Sequence, residues 1–345
     1  MRTFRGGLLI GLLVAAAVAA IAIVYEFYDT RTLKRTVRRG EVLCGVNRGL
    51  PGFSIPDEQG NWSGFDVDFC RAIAAAIFDD PAKVRFVALD ANERFKELQN
   101  RKVDILSRNS TWSMSRETSY DLYFPAVAYY DGEGFMVPRA RNVDSALELD
   151  NSKVCVQSET TTQLNLADYF RANNMKLETK KFGTVDDVFK AYDSGQCDTL
   201  TADVSQLYAL RQKAGKPGDH AILADVISKE PLAPVVRQKD DDWLLLVKWT
   251  LFAMINAEEL GIDSKNIGDA LKSKKPDVMR FVGTEGEYGE ELGLTKDWAA
   301  RIVRHVGNYG EVYERNVGSG SKLGIPRGLN QLWNAGGILY APPIR

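Results

Sequence analysis

Short apolar runs alternate along the chain with stretches whose apolar residues recur at helical spacing. Three runs are typical of buried strands: residues 41–47, 83–89 and 103–107. Two stretches between them predict helices: residues 64–78, with apolar positions at i, i+4, i+7 and i+8, and residues 93–101. This order predicts a parallel sheet covered by helices, and we expect Asp66 to cap the first helix.

The same order of elements returns later in the chain. Strands are predicted at residues 153–157, 177–183 and 197–203, with helices at 161–171 and 184–193 between them. The chain crosses between the two units at residues 134–140 and 229–240, which indicates a hinge. A long apolar helix, residues 241–260, then returns to the first unit.

Two α/β lobes are therefore predicted, which suits a chain of 345 residues, since single cores stop growing near about 250–300. The first lobe comprises residues 30–135 and 236–345, including a C-terminal extension, and the second comprises residues 136–235.

Polar side chains leave corresponding strand ends in the two units. Asn109 follows Asp104 by five residues, and Asp203 follows Asp198 by the same interval. Ligands of open α/β sheets bind beyond the carboxyl ends of strands. Two such ends that face each other predict one cleft between the lobes.

The composition excludes several classes of function. With 45% hydrophobic and 26% charged residues and a net charge of −2, the chain has no excess of positive charge for nucleic acid. The two histidines, His220 and His305, lie in polar contexts without a nucleophile motif. Neither a P-loop nor a dinucleotide fingerprint occurs, and no metal-ligand cluster is evident, so we expect no cofactor and no metal.

The N-terminal residues 1–29 contain an export segment. Arg2 and Arg5 precede a 19-residue apolar run, residues 6–24. Signal peptides have apolar regions of about 7–15 residues, and a membrane span needs about 20. Cleavage as a signal peptide is the favoured reading, and an uncleaved membrane anchor is the alternative. Either one predicts an exported protein.

Four cysteines fit an oxidising compartment. Cys44 and Cys70 fall in one unit and Cys155 and Cys197 in the other, which suggests one disulfide bond in each lobe. Four buried free thiols are the alternative.

The polar groups at the predicted cleft match the two ends of a zwitterion. They are Asn109, Thr111, Ser113 and Arg116 in the first unit, and Thr160, Thr161, Thr162 and Asp203 in the second. A guanidinium with hydroxyl donors suits a carboxylate, and an aspartate with hydroxyl acceptors suits an ammonium. Simpler readings stay open: the threonines cap a helix, and Arg116 pairs with Glu117 at the surface.

The chain resembles the polar amino acid binding proteins of bacterial ABC importers. The matching strings are GVN (45–47), PGFS (51–54), GFDVD (64–68), residues 104–116, YFPA (123–126), VQSETT (156–161) and CDTLTAD (197–203). The longer strings SRNSTW, AYYDGEGFMV, LNLADYFR, VGNYGEVYERNVG and GGILYAPPIR are similar to the general L-amino acid binding branch.

The resemblance implies a two-lobed type II periplasmic binding protein fold with two crossover strands, closing on one amino acid. It implies that Arg116 pairs with the α-carboxylate, that Thr111 and Thr161 donate to it, that Asn109 lies near the α-amino group, and that Asp203 binds the ammonium. It also implies that ABC permease and ATPase subunits are the partners, and we expect a monomer.

Several positions depart from the pattern of the family. Asn47, Leu50 and Ala91 stand where many relatives carry an aspartate or an aromatic residue, and Glu159 replaces a glycine. A roomier and less selective pocket is expected, with Arg108, Asn109 and Trp112 along its far side. The chain is thus expected to bind L-amino acids broadly for transport, without catalysis. The alternatives are a dehydratase-like enzyme that uses Glu159 and an amino acid sensor ectodomain.

Overall fold

The computed structural model describes residues 31–345, and the predicted export segment lies outside these residues. Within residues 31–345, no helix is both long enough and apolar enough to cross a bilayer.

The strands of the described part recur at the predicted places and include several short additions. In chain order they are β1 (Val42–Asn47), β2 (Ile55–Pro56), β3 (Trp62–Ser63), β4 (Val84–Leu89), β5 (Ile105–Thr111), β6 (Leu122–Tyr123), β7 (Tyr129–Asp131), β8 (Glu133–Pro138), β9 (Ser152–Gln157), β10 (Leu177–Phe182), β11 (Thr199–Asp203), β12 (His220–Ile222) and β13 (Glu230–Arg237).

The α-helices of the described part cover both lobes. In chain order they are α1 (Thr32–Arg39), α2 (Phe65–Phe78), α3 (Arg94–Gln99), α4 (Met114–Ser119), α5 (Thr161–Ala172), α6 (Val185–Asp193), α7 (Val204–Lys213), α8 (Asp241–Glu259), α9 (Ile267–Ala270), α10 (Pro276–Val282), α11 (Tyr288–Glu291), α12 (Trp298–His305) and α13 (Tyr309–Asn316).

Two sheets confirm the predicted pair of α/β lobes. The first sheet has the order β4-β1-β5-β13-β6, with β7 also paired to β13, and the second has the order β10-β9-β11-β8-β12. The neighbours β4, β1 and β5 are parallel, as are β10, β9 and β11. Each sheet also contains antiparallel pairs, because β8 and β13, the strands that carry the chain across, run antiparallel to their neighbours.

The chain changes lobe slightly earlier than the predicted boundaries. It passes from β7 in the first sheet to β8 in the second across Gly132, and it returns between β12 and β13. The predicted boundaries after residues 135 and 235 therefore fall inside β8 and β13. Both strands are nearly all buried and apolar, so their sequence alone does not show to which sheet they belong.

The start of α2 differs from the prediction. The residue before the helix is Gly64, with φ of 131°, and a Cβ atom there would lie 2.1 Å from the carbonyl oxygen of Phe53. Only glycine fits this close approach. Asp66 is not the cap; its carboxylate instead accepts from the Ser107 hydroxyl at 3.3 Å and from the Asn109 backbone N–H at 3.2 Å.

The long helix α8 returns to the first lobe, as predicted. Trp243 in this helix is fully buried, and its indole N–H donates to the backbone oxygen of Asp104 at 3.1 Å. The C-terminal extension packs on the same lobe through α12 and α13, where the Tyr309 hydroxyl donates to the oxygen of Ala128 at 2.8 Å. The extension thus enlarges the first lobe.

Each lobe contains one disulfide bond, which confirms the prediction. Cys44 in β1 is bonded to Cys70 in α2, and Cys155 in β9 is bonded to Cys197, just before β11. Both bonds tie a central strand to a neighbouring element, and neither links the two lobes.

Candidate functional site

A narrow cavity lies between the two lobes and is lined mainly by polar side chains; it leaves about 30 Å³ of room for the centre of a water molecule. From the first lobe the polar lining residues are Asn47, Arg94, Arg108, Asn109, Thr111 and Arg116. From the second lobe they include Gln157, Thr160, Thr161, Thr162, Thr201, Asp203 and Gln206. The carboxyl ends of β5 and β11 both reach this cavity, so the polar strand ends that the sequence singled out face each other.

Arg116 enters the cavity from the short helix α4. Ser113 caps this helix by accepting from the Arg116 backbone N–H at 3.4 Å. The Arg116 guanidinium is buried and donates to the backbone oxygen of Thr111 at 2.8 Å. Burial lowers its pKa, and the negative charges of Glu230 and Asp203 oppose that shift. The surface ion pair with Glu117 is wrong, because the Glu117 carboxylate accepts from the Trp112 indole N–H instead.

Asp203 enters the same cavity from the opposite lobe. It is the last residue of β11, it is buried, and it lies opposite Glu133 in the register with β8. Burial raises the pKa of Asp203 well above its usual value, and the neighbouring carboxylates of Asp131, Glu230 and Glu133 raise it further, against the lowering effect of Arg116. A cationic group placed beside Asp203 would therefore relieve an unfavourable concentration of negative charge.

Thr111 and Thr161 share one acceptor, which the sequence did not predict. Their hydroxyl groups donate to Oε2 of Glu230, at 2.5 Å and 2.9 Å. Oε1 of Glu230 accepts from the Asn165 amide and the Ser228 hydroxyl, both at 2.7 Å. Glu230 opens β13 at the crossing between the lobes, so its carboxylate connects donors of both lobes.

Two further carboxylates lie at the crossing, Asp131 half-buried and Glu133 fully buried. Burial raises the pKa of Asp131 to about 6 and that of Glu133 to about 8. Oε1 of Glu133 accepts from the Thr201 hydroxyl at 2.7 Å, and Oε2 has no hydrogen-bond partner among the described residues. Neither residue was singled out from the sequence, although acidic residues at the start of an apolar crossing strand were the available signal.

Asn47 and Asn109 line the cavity together. The Asn47 amide donates to Oδ1 of Asn109 at 3.2 Å. Asn109 has φ of 31°, a left-handed conformation in which asparagine is among the more tolerant residues. Arg108, the neighbouring residue, also lines the cavity and donates to the backbone oxygen of Leu89 at 3.0 Å.

The threonines at the start of α5 combine two roles. Thr160 is the cap that the simpler reading expects, since its hydroxyl accepts from the Gln163 backbone N–H at 3.4 Å. It also lines the cavity, together with Thr161 and Thr162. Capping therefore fixes the helix start at the cleft and does not exclude contact with a ligand.

Other predicted positions lie outside this cavity. Leu50 is fully buried in the core of the first lobe, because a turn pairs its backbone with Ser54. Trp112 stacks on Phe124, with ring centres 6.0 Å apart, and does not line the cavity. Leu50 and Trp112 are thus not among the residues that line this cavity.

A wider groove adjoins the cavity at Arg116, Thr160 and Thr161, and it encloses about 1680 Å³ of space open to solvent. Ala91, Ser113 and Glu159 line this outer groove and not the inner cavity. Glu159 is exposed and has φ of 61°, so it adopts the left-handed conformation that the glycine of its relatives would favour.

The histidines take part in local contacts away from the cavity. His220 Nδ1 lies 2.8 Å from the Tyr192 hydroxyl, and His305 Nε2 lies 2.8 Å from Asp79. Across residues 31–345, no group of three or more His, Cys, Asp or Glu side chains is arranged to hold a metal ion.

Several known binding proteins are similar to this chain over most of its length. Residues 42–268 match the family described as bacterial extracellular solute-binding proteins, family 3. The general L-amino acid-binding periplasmic protein AapJ of Rhizobium johnstonii is 52% identical over 333 residues, which are 96% of this chain and 98% of that protein. The glutamate/glutamine/aspartate/asparagine-binding protein BztA of Rhodobacter capsulatus is 44% identical over 330 residues, which are 95% and 98% of the two chains.

Solved structures agree with the sequence comparison. A periplasmic binding protein of an ABC transporter from Brucella ovis, with glutathione bound, is 50% identical. It superposes with a TM-score of 0.90 over 91% of this chain and 99% of that one.

Proposed function

Since the chain belongs to family 3 of the bacterial extracellular solute-binding proteins, we propose that it captures L-amino acids between its lobes for an ABC importer. The observation that carries the proposal is the placement of Arg116 and Asp203, two buried and oppositely charged groups, in one cavity on opposite lobes. A small zwitterion pairs with both, and neither group then remains buried without a counter-charge.

This pair of charges determines the orientation of the ligand in the cavity. Arg116 binds the α-carboxylate, with Thr111 and Thr161 as further donors, and Asp203 binds the ammonium, with Asn109 near it. In the structure both threonine hydroxyls donate to Glu230. A hydroxyl group rotates freely, so a ligand carboxylate that enters the cavity competes with Glu230 for these two donors.

Ligand binding then favours a closed arrangement of the lobes. To shift the protein from mostly open to mostly closed, the ligand must bind the closed form more tightly than the open form by about 5.5 kcal/mol. Two charge contacts that form only when both lobes reach the ligand are of this order, since breaking one buried pair costs about 3–5 kcal/mol.

Breadth of specificity is part of the proposal. Asn47 in the inner cavity and Ala91 in the outer groove provide no aromatic ring to enclose a ligand side chain. Calorimetric titration with acidic, amide and aliphatic amino acids tests the point. Broad binding predicts affinities within about a hundredfold, or roughly 2.7 kcal/mol, of one another, and a wider spread contradicts it.

Binding without catalysis is the proposed activity. Glu159, the acid or base that the dehydratase-like alternative would use, lies exposed in the outer groove and not in the inner cavity. Incubation with each ligand followed by NMR is expected to return the ligand unchanged; a new product would support the enzyme instead.

The relatives indicate the cellular location and the partners of the protein. We propose export to the periplasm and delivery of the amino acid to ABC permease and ATPase subunits, with the binding protein acting as a monomer. Native mass spectrometry of the exported protein reports its N-terminus, its oligomeric state and any co-purified ligand. A co-purified amino acid supports the function, whereas a purified protein to which no amino acid binds contradicts it.

A second candidate ligand is a small γ-glutamyl peptide. The outer groove continues from Arg116 and gives a longer molecule room to extend, and the Brucella ovis protein binds glutathione. Titration with glutathione, with the constituent amino acids as controls, tests this candidate. Binding at micromolar concentration supports it, and binding of the constituent amino acids alone rejects it.

A further inference from the structure

The strand β7 carries the chain out of the first lobe and lies beside the sheet rather than within its main row of strands. It pairs with β13, and in that pair Tyr130 lies opposite Pro231. Proline has no backbone N–H, so Pro231 cannot donate to the backbone oxygen of Tyr130. The backbone groups of such a strand need partners from outside the ladder.

Asn330 of the C-terminal extension supplies these partners. Its Oδ1 accepts from the Tyr130 backbone N–H at 2.7 Å, and its Nδ2 donates to the Tyr130 backbone oxygen at 3.0 Å. Asn330 exposes only 3% of its surface. A side-chain amide carries a donor and an acceptor next to each other, so one asparagine satisfies both backbone groups of the strand residue.

Arg327 anchors Asn330 to the first lobe. Its Nε donates to the backbone oxygen of Asn330 at 2.9 Å, and its Nη2 lies 3.1 Å from Oε1 of Glu258 in α8. Its guanidinium carbon lies 5.3 Å and 5.0 Å from the ring centres of Tyr309 and Tyr313 in α13. These contacts all belong to the first lobe, so Asn330 holds the strand β7 on that lobe.

The other end of the same short segment is bound to the second lobe. The carboxylate of Asp131 accepts from the Ser205 backbone N–H at 3.3 Å and 3.4 Å, and the backbone oxygen of Gly132 accepts from Val204 at 2.8 Å. Val204 and Ser205 begin α7 and directly follow Asp203. The position of Asp203 relative to the first lobe therefore depends on how firmly β7 is held.

The residues that hold β7 lie outside the part of the chain that the family shares. The family match ends at residue 268, whereas Arg327 and Asn330 belong to the extension. Neither residue lines the inner cavity or the outer groove. An effect of these residues on ligand binding would therefore act through the hinge.

We propose that the C-terminal extension regulates lobe closure, with Asn330 as the residue that positions the crossing strand β7. The inference rests on the function proposed above and adds a control of the same site from outside the cleft. In the structure the lobes lie close enough for Thr111 and Thr161 to share the carboxylate of Glu230. Loss of the contact with Asn330 is expected to free β7 and to shift the equilibrium towards open lobes.

Scattering and calorimetry on the full exported chain test the role of Asn330. Asn330→Leu keeps much of the side-chain volume but removes both hydrogen bonds. Small-angle X-ray scattering of the ligand-free variant should give a larger radius of gyration than wild type. Calorimetry with L-glutamine should show at least about fivefold weaker binding, because a smaller fraction of the protein is then competent to close on the ligand.

A matched control comes from another buried asparagine that binds the extension. Asn256 in α8 donates to the backbone oxygen of Pro342 at 2.8 Å and makes no hydrogen bond to β7. Asn256→Leu removes a contact of the same kind and is expected to leave both the radius of gyration and the affinity at wild-type values. The comparison separates the hinge from a general loosening of the extension.

The proposal is refuted if Asn330→Leu scatters like wild type or binds L-glutamine within about twofold of it, and also if Asn256→Leu changes as much. Should Asn330→Leu fail to fold, Asn330→Asp decides. It keeps the acceptor for the Tyr130 N–H and loses the donor, so a smaller change in the same direction is expected. If wild-type protein binds no amino acid, the function proposed above fails, and the scattering alone still decides whether Asn330 controls the hinge.

Discussion

The hydroxyl oxygens of Thr111 and Thr161 lie 3.3 Å apart, although one belongs to each lobe. Both donate to the same oxygen of Glu230, which opens the strand that returns the chain to the first lobe. A single carboxylate at the hinge therefore connects the two walls of the cleft before any ligand is considered.

Replacing Glu230 is expected to open the ligand-free protein. Glu230→Ala removes the shared acceptor and leaves the donors of the two lobes without a common partner. Small-angle X-ray scattering of ligand-free protein should report a larger radius of gyration for this variant than for wild type. Ser228→Ala removes a donor from the crossing segment only and should leave the radius unchanged. Identical scattering of Glu230→Ala and wild type would contradict the link.

Arg116→Ala is expected to nearly abolish amino acid binding. It removes one side of a buried charge contact, which costs about 3–5 kcal/mol, against about 8 kcal/mol for a micromolar complex. Calorimetry measures the loss. The control is Arg139→Ala, an exposed arginine of the second lobe whose Nε donates to Gly218. Retention of micromolar affinity by Arg116→Ala would show that the carboxylate binds elsewhere.

Binding is expected to release protons through Asp203. In the ligand-free protein the pKa of Asp203 is raised, and an ammonium beside it lowers that pKa again. The complex therefore holds fewer protons than the free protein, and affinity rises with pH through the range in which Asp203 of the free protein titrates. Titrations in buffers of different ionisation enthalpy count the protons.

Asp203→Asn should lose both the proton release and most of the affinity while the protein stays folded. Asp198→Asn, at the opposite end of the same strand and away from the cavity, should preserve both. Wild-type affinity in Asp203→Asn would overturn the role of this residue.

Glu133 makes the fold sensitive to alkaline pH. Its pKa is raised from 4.5 to about 8 by burial, so the folded protein retains a proton that the unfolded chain releases. This contribution to stability is present below about pH 4.5 and is lost as pH rises towards 8. Glu133→Gln does not titrate and still offers an acceptor to Thr201.

Glu133→Gln should therefore exceed wild type in free energy of unfolding at pH 8, by at most roughly 4 kcal/mol, and should approach it near pH 5. Denaturant titrations at both pH values measure the difference. Glu58→Gln, at an exposed position, should show no such pH dependence. A difference that is equal at both pH values would contradict a raised pKa.

The sequence predicted the lobes because local patterns determine their elements. The strands and helices follow from short-range periodicity, and Asp203 and Asn109 follow from their positions at strand ends. Arg94 was missed because an arginine in the polar helix ERFKELQNR is typical of a solvated surface. It is buried at the cavity between the lobes, a position that the pattern of its own helix does not reveal. Glu230 and Glu133 were missed for a similar reason, since their partners come from remote parts of the chain.

Leu50 differs from these residues, because it is buried in the core of the first lobe. Its position in the family pattern predicted contact with a ligand, but the turn between Leu50 and Ser54 directs the residue into the core. An alignment of positions conveys which residues correspond, whereas the direction of a side chain depends on the local backbone.

Glu230 accepts hydrogen bonds from the cavity residues Thr111 and Thr161, and it also lies where the chain crosses between the lobes. A substitution of Glu230 that changed which ligand binds would therefore also change how readily the two lobes close. We expect relatives with another residue at this position to differ in the equilibrium between open and closed lobes as well as in ligand preference.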